Sequence, residues 1–312
     1  MQSDVSVIIV NYNTTEHIKK CLDSISNYTK SINYEIIVVD NNSPDRSIEY
    51  FPNEFPAVKF IFRKVNDGFG AGCNFGVKNA KGKYLLFLNP DIVLKDNAIY
   101  EFFQFMEKNK NVGLCSALLT DSNGNFQYTY NYFPSVFWEF SEAITRKIPE
   151  RIKELLDKLA LESNRESLEV DWVIGACMFI RSELYKKLEG FDESFFLYYE
   201  DVDLEFRLSK LDFKIVVLPN IKIQHIERSS INPKNRYDVC YYNIHLSKMR
   251  YMNKHFGFFK RNFIRLLFIL GMLLRLLVIV FNKKKSPYTS NQIINVLKIY
   301  LNCSSMKTIV KV

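Results

Sequence analysis

The six cysteines of this chain (Cys21, Cys73, Cys115, Cys177, Cys240 and Cys303) are scattered, with no CxxC pair. Their spacing therefore supports neither a zinc site nor a disulfide framework. No signal-peptide pattern precedes the first apolar run, VSVIIV at 5–10, so a reducing cytoplasm is the expected compartment. No segment is low in complexity, and none repeats. Acid is nearly missing from the end of the chain. From Lys234 onward fifteen Lys and Arg stand against one acid, Asp238, a balance of +14. With +8 overall, residues 1–233 carry 8 − 14 = −6. A nucleic-acid binder would be basic throughout, so that partner is excluded and the basic tail needs its own explanation.

What is present is a large core and an alternating pattern. Hydrophobic residues make up 47% of 312 positions, enough for one large α/β unit with an appendage. Residues 5–10 and 34–39 are short apolar runs ending in polar residues, as buried parallel strands do. Between them Ile18, Cys21, Leu22 and Ile25 mark one face of a helix over 14–28. KFIF (59–62) and YLLFL (84–88) are further strands, separated by a glycine-rich turn and a helix through Ala80. Such alternation predicts an open, mostly parallel sheet with helices on both faces. Ligands bind such sheets beyond the carboxyl ends of the strands. Asn11-Tyr12-Asn13, Asp40-Asn41-Asn42 and Asn89-Pro90-Asp91 stand at those ends and would face one cleft.

The second half is less regular. Residues 112–132 read as strand and hairpin, turning at Asp121-Ser122-Asn123-Gly124. A charged helix is expected over 136–163, then one buried strand at 172–180. Two short strands, 213–218 and 221–226, are expected to be broken by Pro219-Asn220.

Several positions admit both a structural and a chemical role. Asp40 either caps the following turn or accepts the imide N–H of a pyrimidine base. In NDGFGAGCN (66–74) three glycines in five positions form a tight turn or let backbone approach a phosphate at a helix N-terminus. Asp91 is a turn aspartate or a carboxylate for a hard divalent cation beside a diphosphate. His225, ending the last strand, is a hydrogen-bonded structural residue or a ligand to the same cation. The run GFDESFFLYYEDVDLEFRL (190–208) is the most informative. Glu200, Asp201 and Asp203 open a helix marked by Leu204, Leu208 and an Asp203–Arg207 spacing of four. These acids follow Phe195, Phe196, Tyr198 and Tyr199, which predicts an aromatic-lined pocket. A carboxylate at a helix N-terminus is stabilised as an anion, suited to a general base.

Taken in order, VSVIIVNYN, VVDNNSPD, NDGFGAGCNFG, YLLFLNPDIVL, DWVIGACMFIR, GFDESFFLYYEDVDLEFRL and His225 resemble the inverting family 2 glycosyltransferases of GT-A fold, most closely the rhamnosyltransferase-like branch. The resemblance covers about residues 4–230. It implies a Rossmann-like, mostly parallel sheet over 1–230, with a nucleotide-sugar-binding half (1–115) and an acceptor half (116–230), followed by a basic helical region at 231–312. It places Asn11, Asp40, Asn66, Gly68 and Asn89 with the donor, Asp40 on the base. Asp201 becomes the general base, and Glu200 orients the acceptor. Asn89-Pro90-Asp91 stands where the family has Asp-x-Asp. Asp91 is then left as the carboxylate for Mg²⁺ or Mn²⁺, and His225 as a metal or diphosphate contact. The first acid of that motif is Asn here, as in the rhamnosyltransferase-like branch.

The implied partners are a nucleotide-sugar donor, first dTDP-L-rhamnose and then a UDP-hexose, and a glycan or polyprenyl-linked acceptor. A sugar nucleotidyltransferase would carry a basic, glycine-rich loop after its first strand, where this chain has Asn11-Tyr12-Asn13. A processive synthase would carry QxxRW, yet neither Trp138 nor Trp172 follows an arginine. A non-catalytic sugar-binding module is disfavoured by the intact Asp91, Asp201 and His225.

The tail run FIRLLFILGMLLRLLVIVF (263–281) is nearly long enough to span a bilayer but contains Arg265 and Arg275, each costing about 2.5 kcal/mol or more near the midplane. At helical spacing Arg261, Arg265 and Arg275 fall within an arc of roughly 80°. That pattern predicts a helix lying in the membrane interface, helped by Lys283-Lys284-Lys285, on the inner face of the cell membrane. A true span, packing onto the catalytic domain, or a homodimer contact are the alternatives.

Overall fold

The computed structural model describes residues 3–127, 129–136, 165–226, 236–281 and 289–301. The helix expected over 136–163 lies, past Val136, outside them. The chain divides into two compact units, the first of them Met1–Phe133, Arg165–Phe196 and Glu200–Asn232. The two halves expected to meet at 115/116 form one unit, interrupted by a segment that leaves after Phe133 and returns at Arg165.

The first unit is a nine-stranded sheet. Its strands are β1 (Val5–Asn11), β2 (Tyr34–Asp40), β3 (Val58–Phe62), β4 (Tyr84–Leu88), β5 (Ile92–Val93), β6 (Val112–Thr120), β8 (Leu168–Val170), β10 (Cys177–Arg181) and β11 (Lys214–His225). A separate pair joins β7 (Tyr130–Asn131) to β9 (Trp172–Val173). The main order is β3-β2-β1-β4-β10-β6-β11-β5, with β8 beside β11. Helices α1 (Thr15–Tyr28), α2 (Phe51–Glu54), α3 (Phe69–Val77), α4 (Ala98–Lys108), α5 (Ser182–Lys187) and α6 (Glu200–Ser209) complete the unit. Ile18, Cys21, Leu22 and Ile25 of α1 are all buried, as their spacing predicts.

The sheet is mostly parallel but mixed. β1 pairs parallel with β2 and β4, and β6 with β11. β10 runs antiparallel between β4 and β6. Register places the chemistry: Asn11 lies opposite Asp40, and Ile9 opposite Leu88, so three polar strand ends share one edge. His225 pairs with Ile92, next to Asp91. Away from that edge the buried Arg181 ties β10 into the sheet. Its Nε donates to Val112 O at 2.9 Å, and its terminal nitrogens reach Tyr84 OH (2.9 Å), Met106 O (2.8 Å) and Asn109 O (3.0 Å). A guanidinium buried without such partners would cost several kcal/mol.

Two expected elements differ. Residues 172–180 are not one strand: β9 leaves the main sheet to pair with β7, Gly175 and Ala176 turn, and β10 enters between β4 and β6. Conversely, 213–226 holds the single strand β11, and Pro219-Asn220 falls in a register shift between Leu218 and Lys222. A bulge accommodates a residue without N–H that a regular ladder would exclude.

The second unit, among the described residues, contains α7 (Arg236–His255), α8 (Phe258–Phe281) and α9 (Ser290–Leu301), together with Leu197–Tyr199. Phe268 stacks on Tyr300 at 5.1 Å, and His245 Nδ1 hydrogen-bonds Tyr300 OH at 2.9 Å. Ser247 Oγ donates to Leu197 O at 2.9 Å, and the Tyr199 and Tyr251 rings lie 5.6 Å apart. Ile264, Phe268 and Met272 of α8 are buried, whereas Phe259, Phe263, Leu266, Leu270, Leu273 and Leu277 are exposed along one stripe. Arg265 is not turned outward as its helical position predicts. It donates to the carbonyls of Tyr300 and Leu301 (2.9 Å to the latter), capping the C-terminus of α9. No helix among the described residues is long and apolar enough to cross a membrane.

Candidate active site

At the ends of β1 and β2, Asp40 is the centre of a buried network. Its Oδ1 accepts from Asn11 Nδ2 at 2.7 Å and Ser43 Oγ at 2.6 Å, and its Oδ2 from Ser43 N–H at 2.9 Å. Asn11 Oδ1 in turn accepts from Thr14 Oγ1 at 2.7 Å, opening α1. The structural role of Asp40 is thus realised, and the arrangement fixes its carboxylate rigidly at the cleft edge. Ser43, which completes the network, lies in the NNSPD motif, but no local pattern singles it out.

The glycine-rich turn has a specific cause. Gly68 has φ +103°, and a Cβ there would meet Phe196 O at 2.1 Å. Phe69 N–H, at the start of α3, donates to that same carbonyl at 3.2 Å. Asn66 Oδ1 accepts from Gly68 N–H at 3.1 Å, and Asn41 Nδ2 donates to Gly68 O at 2.8 Å. What comes close to Gly68 is the backbone of Phe196 from the other half of the unit. The rings ahead of the acids are divided between the two units. Phe195 and Phe196 are buried in the first unit, while Tyr198 and Tyr199 group with the second. Both tyrosines have left-handed backbone, φ +67° and +66°, which is strained for bulky side chains.

Asp91 and His225 are brought together across β5 and β11. His225 Nε2 lies 3.4 Å from Asp91 Oδ1, and Ile226 N–H donates to Asp91 O at 3.0 Å. Gln127, which no motif marks, orients the ring. Its Nε2 donates to His225 O at 3.0 Å, leaving Oε1 to face Nδ1 at 3.0 Å. A carbonyl oxygen only accepts, so Nδ1 carries the proton and, in the neutral ring, Nε2 presents a lone pair toward the carboxylate. Two lone-pair donors facing each other fit a divalent cation between them. No group of three or more His, Cys, Asp or Glu able to hold a metal occurs among the described residues. Protein would supply two ligands, and the remaining positions suit phosphate oxygens and water; the carboxylate and phosphates suit either Mg²⁺ or Mn²⁺, and the imidazole favours Mn²⁺.

Helix α6 carries the acids. Asp201 is partly exposed. Its Oδ2 accepts from Gly175 N–H at 2.9 Å and its Oδ1 from Val202 N–H at 2.8 Å. Burial raises its pKa, while those two amides oppose the rise. Glu200 is buried, with Oε2 unpartnered, and burial followed by the charge on Asp201 raises its pKa well above the ordinary carboxylate range. The two carboxyls are thus held differently, Asp201 by two amide donors and Glu200 with one buried oxygen unpartnered, and separation of this kind suits an acid–base site. Asp203 points elsewhere, paired with Arg207 Nε at 2.8 Å as its spacing predicts. The acids and the Asn89 turn are joined by one short segment: Gly175 N–H meets Asp201, and the next carbonyl, Ala176 O, accepts from Asn89 N–H at 3.0 Å.

The mixed, mostly parallel sheet with polar residues at its carboxyl ends has the GT-A fold of glycosyltransferases. Residues 6–188 match the family described as glycosyl transferase family 2, and the chain belongs to it. Among curated relatives it is 28% identical to rhamnosyltransferase WbbL of Escherichia coli K12, over 71% of this chain and 83% of that one. It is 24% identical to the N-acetylglucosaminyl-diphospho-decaprenol L-rhamnosyltransferase of Mycobacterium tuberculosis, over 72% and 76%. Among solved structures, Staphylococcus aureus TarS 1–349 in complex with UDP matches with TM-score 0.54 at 16% identity, over 96% of this chain and 80% of that one. GalNAc-T7 with UDP, GalNAc and Mn²⁺ matches with TM-score 0.58 at 15% identity, over 81% and 48%. The chain is a rhamnosyltransferase-like member of its family.

Proposed function

We propose that this glycosyltransferase inverts configuration, moving one hexosyl residue from a nucleotide diphosphate to a hydroxyl of a lipid-linked or growing cell-surface glycan. The observation that carries this reading is Asp201: partly exposed at the start of α6 and held by two backbone amides beside the buried Glu200. It accepts the proton of the acceptor hydroxyl as the oxygen attacks the anomeric carbon opposite the leaving group. Glu200, whose carboxyl burial and the charge on Asp201 push up, orients the acceptor. Asp40, Asn11, Asn66, Gly68 and Asn89 hold the donor, with the base at Asp40. Asp91 and His225 would hold Mg²⁺ or Mn²⁺, which when bound offsets the charge of the departing diphosphate. The relatives' names support rhamnose as the sugar moved and, in the mycobacterial case, a polyprenyl-diphosphate-linked sugar as acceptor, which puts a rhamnosyl donor such as dTDP-L-rhamnose ahead of a UDP-hexose. Nucleotide release measured across a panel of dTDP- and UDP-sugars tests this. Release from dTDP-L-rhamnose well above the others is expected, and no release from any donor refutes enzymatic function.

The C-terminal unit has a second part in this reading. Its outward stripe on α8 and the +14 balance support peripheral attachment to an anionic inner membrane face, where a polyprenyl-linked acceptor resides. Pelleting with anionic liposomes, weakened by salt and by Leu266→Glu with Leu270→Glu, is expected. A chain that stays in the supernatant at low salt and sediments as a dimer points to a homodimer contact instead.

A further inference from the structure

Glu205 has no part in the reaction above, yet it is fully buried one helical turn beyond Asp201. Its Oε2 accepts from Val173 N–H at 2.8 Å, while its Oε1 is buried without a hydrogen-bond partner. Successive amides along 173–175 alternate in direction. Val173 N–H meets Glu205, Ile174 N–H turns the other way to Thr129 O at 2.9 Å, and Gly175 N–H meets Asp201. Amides two residues apart in an extended chain are spaced about 6.6 Å, and positions four apart on a helix rise about 6 Å. The two repeats match. β9 pairs with β7 on one side only, and two carboxylates of α6 take the place of a strand on the other.

We infer that Glu205 is a positioning residue for Asp201: with it, Glu205 clamps the 173–175 backbone to α6 and thereby fixes the base relative to the Asn89 turn. This rests on the assignment of Asp201 as base. The far end of the clamped segment is Ala176 O, the acceptor for Asn89 N–H, so the segment spans from the acids to the turn that carries Asp91. Without the Glu205 contact Asp201 would hold the segment by a single bond, and the base could shift against the donor side. Small displacements of this kind act on turnover more than on binding. Glu205 serves as a neutral acid. Burial, then the negative charge on Asp201, pushes its carboxyl well above the ordinary range, so Asp201 faces no second anion there. What the clamp needs from residue 205 is therefore an acceptor of the right length, not a charge.

The test compares Glu205→Gln, Glu205→Asp and Glu205→Leu in the full chain. Two readouts are taken: nucleotide release from dTDP-L-rhamnose, and amide hydrogen exchange at Val173 and Gly175. Gln keeps both length and acceptor, so kcat should stay within about twofold of wild type. Asp and Leu should lower kcat about tenfold, with donor KM changed less than about twofold. Exchange at Val173 should quicken about five- to tenfold in Leu and Asp but not in Gln. Unchanged exchange in Asp and Leu, or wild-type kcat in both, overturns the proposal. So does a loss in Gln equal to that in Leu. The Gln and Asp variants decide the matter should Leu fail to fold. The exchange readout needs no donor, so it holds whichever sugar is used. Asp201→Asn is run alongside: normal turnover there removes the base assignment, while exchange at Val173 still reports on the clamp.

Discussion

Replacing Asp201 by Asn removes one proton acceptor and little volume. Loss of a general base costs about 10²–10⁴ in rate, or about 2.7–5.5 kcal/mol of barrier. The structure sets a separate and smaller cost on folding. Asp201 accepts two amides, from Gly175 at 2.9 Å and Val202 at 2.8 Å, on two different oxygens. Asn offers only one acceptor oxygen, so one amide loses its partner at about 1–3 kcal/mol. Part of that is offset because a neutral amide replaces a carboxylate whose charged form burial disfavours. The expected result is a folded protein, modestly less stable, with kcat down at least about 10²-fold and donor KM nearly unchanged. Steady-state transfer assays beside thermal melting separate the two costs. Turnover within a few-fold of wild type would refute the base assignment outright. In the wild type the same geometry sets the acid limb. Because the pKa of Asp201 is raised, activity should fall, as pH is lowered, at a pH above the ordinary Asp value of about 3.9.

Further outcomes follow from the same contacts. Chelation with EDTA should suppress nucleotide release, with recovery on Mn²⁺ or Mg²⁺, and full activity in chelator would leave Asp91 and His225 acting without metal. Gln127→Leu frees the His225 ring and should weaken Mn²⁺ activation about 10- to 100-fold, measured by metal titration of the rate. Gly68→Ala places a Cβ against Phe196 O at φ +103° and should destabilise the fold by about 2 kcal/mol or more, read by denaturant unfolding. The folded-state pKa of Glu200 is raised, so its contribution is full below about pH 4.3 and is lost as pH rises toward the folded value. Glu200→Gln should accordingly melt higher than wild type at pH 7 to 8, with the difference vanishing near pH 4.

Patterns local to the chain were enough for the strands of the parallel half. Val5–Asn11, Tyr34–Asp40 and Tyr84–Leu88 are apolar runs with polar ends, and their burial follows from composition alone. The Asp203–Arg207 pair and the buried face of α1 were legible because helical spacing by itself brings such residues together. Pairings remote in sequence were not. That 172–180 divides between two sheets depends on which edges were open to each part. Pro219-Asn220 could become a bulge because β6 lay alongside to continue the ladder on both sides of it. Gln127, outside every motif, reaches His225 across 98 positions, and Glu205, inside the 190–208 run but not singled out by its pattern, reaches Val173 across 32. Arg265, placed by periodicity on an outward face, is drawn to the carbonyls ending α9 because an unsatisfied helix terminus attracts a cation. The sequence by itself determined which residue types stand at the strand ends and at the start of α6. Only the tertiary structure decided which of them share a proton, a ligand position or a backbone amide, because those are matters of ångströms between segments that the chain order leaves free.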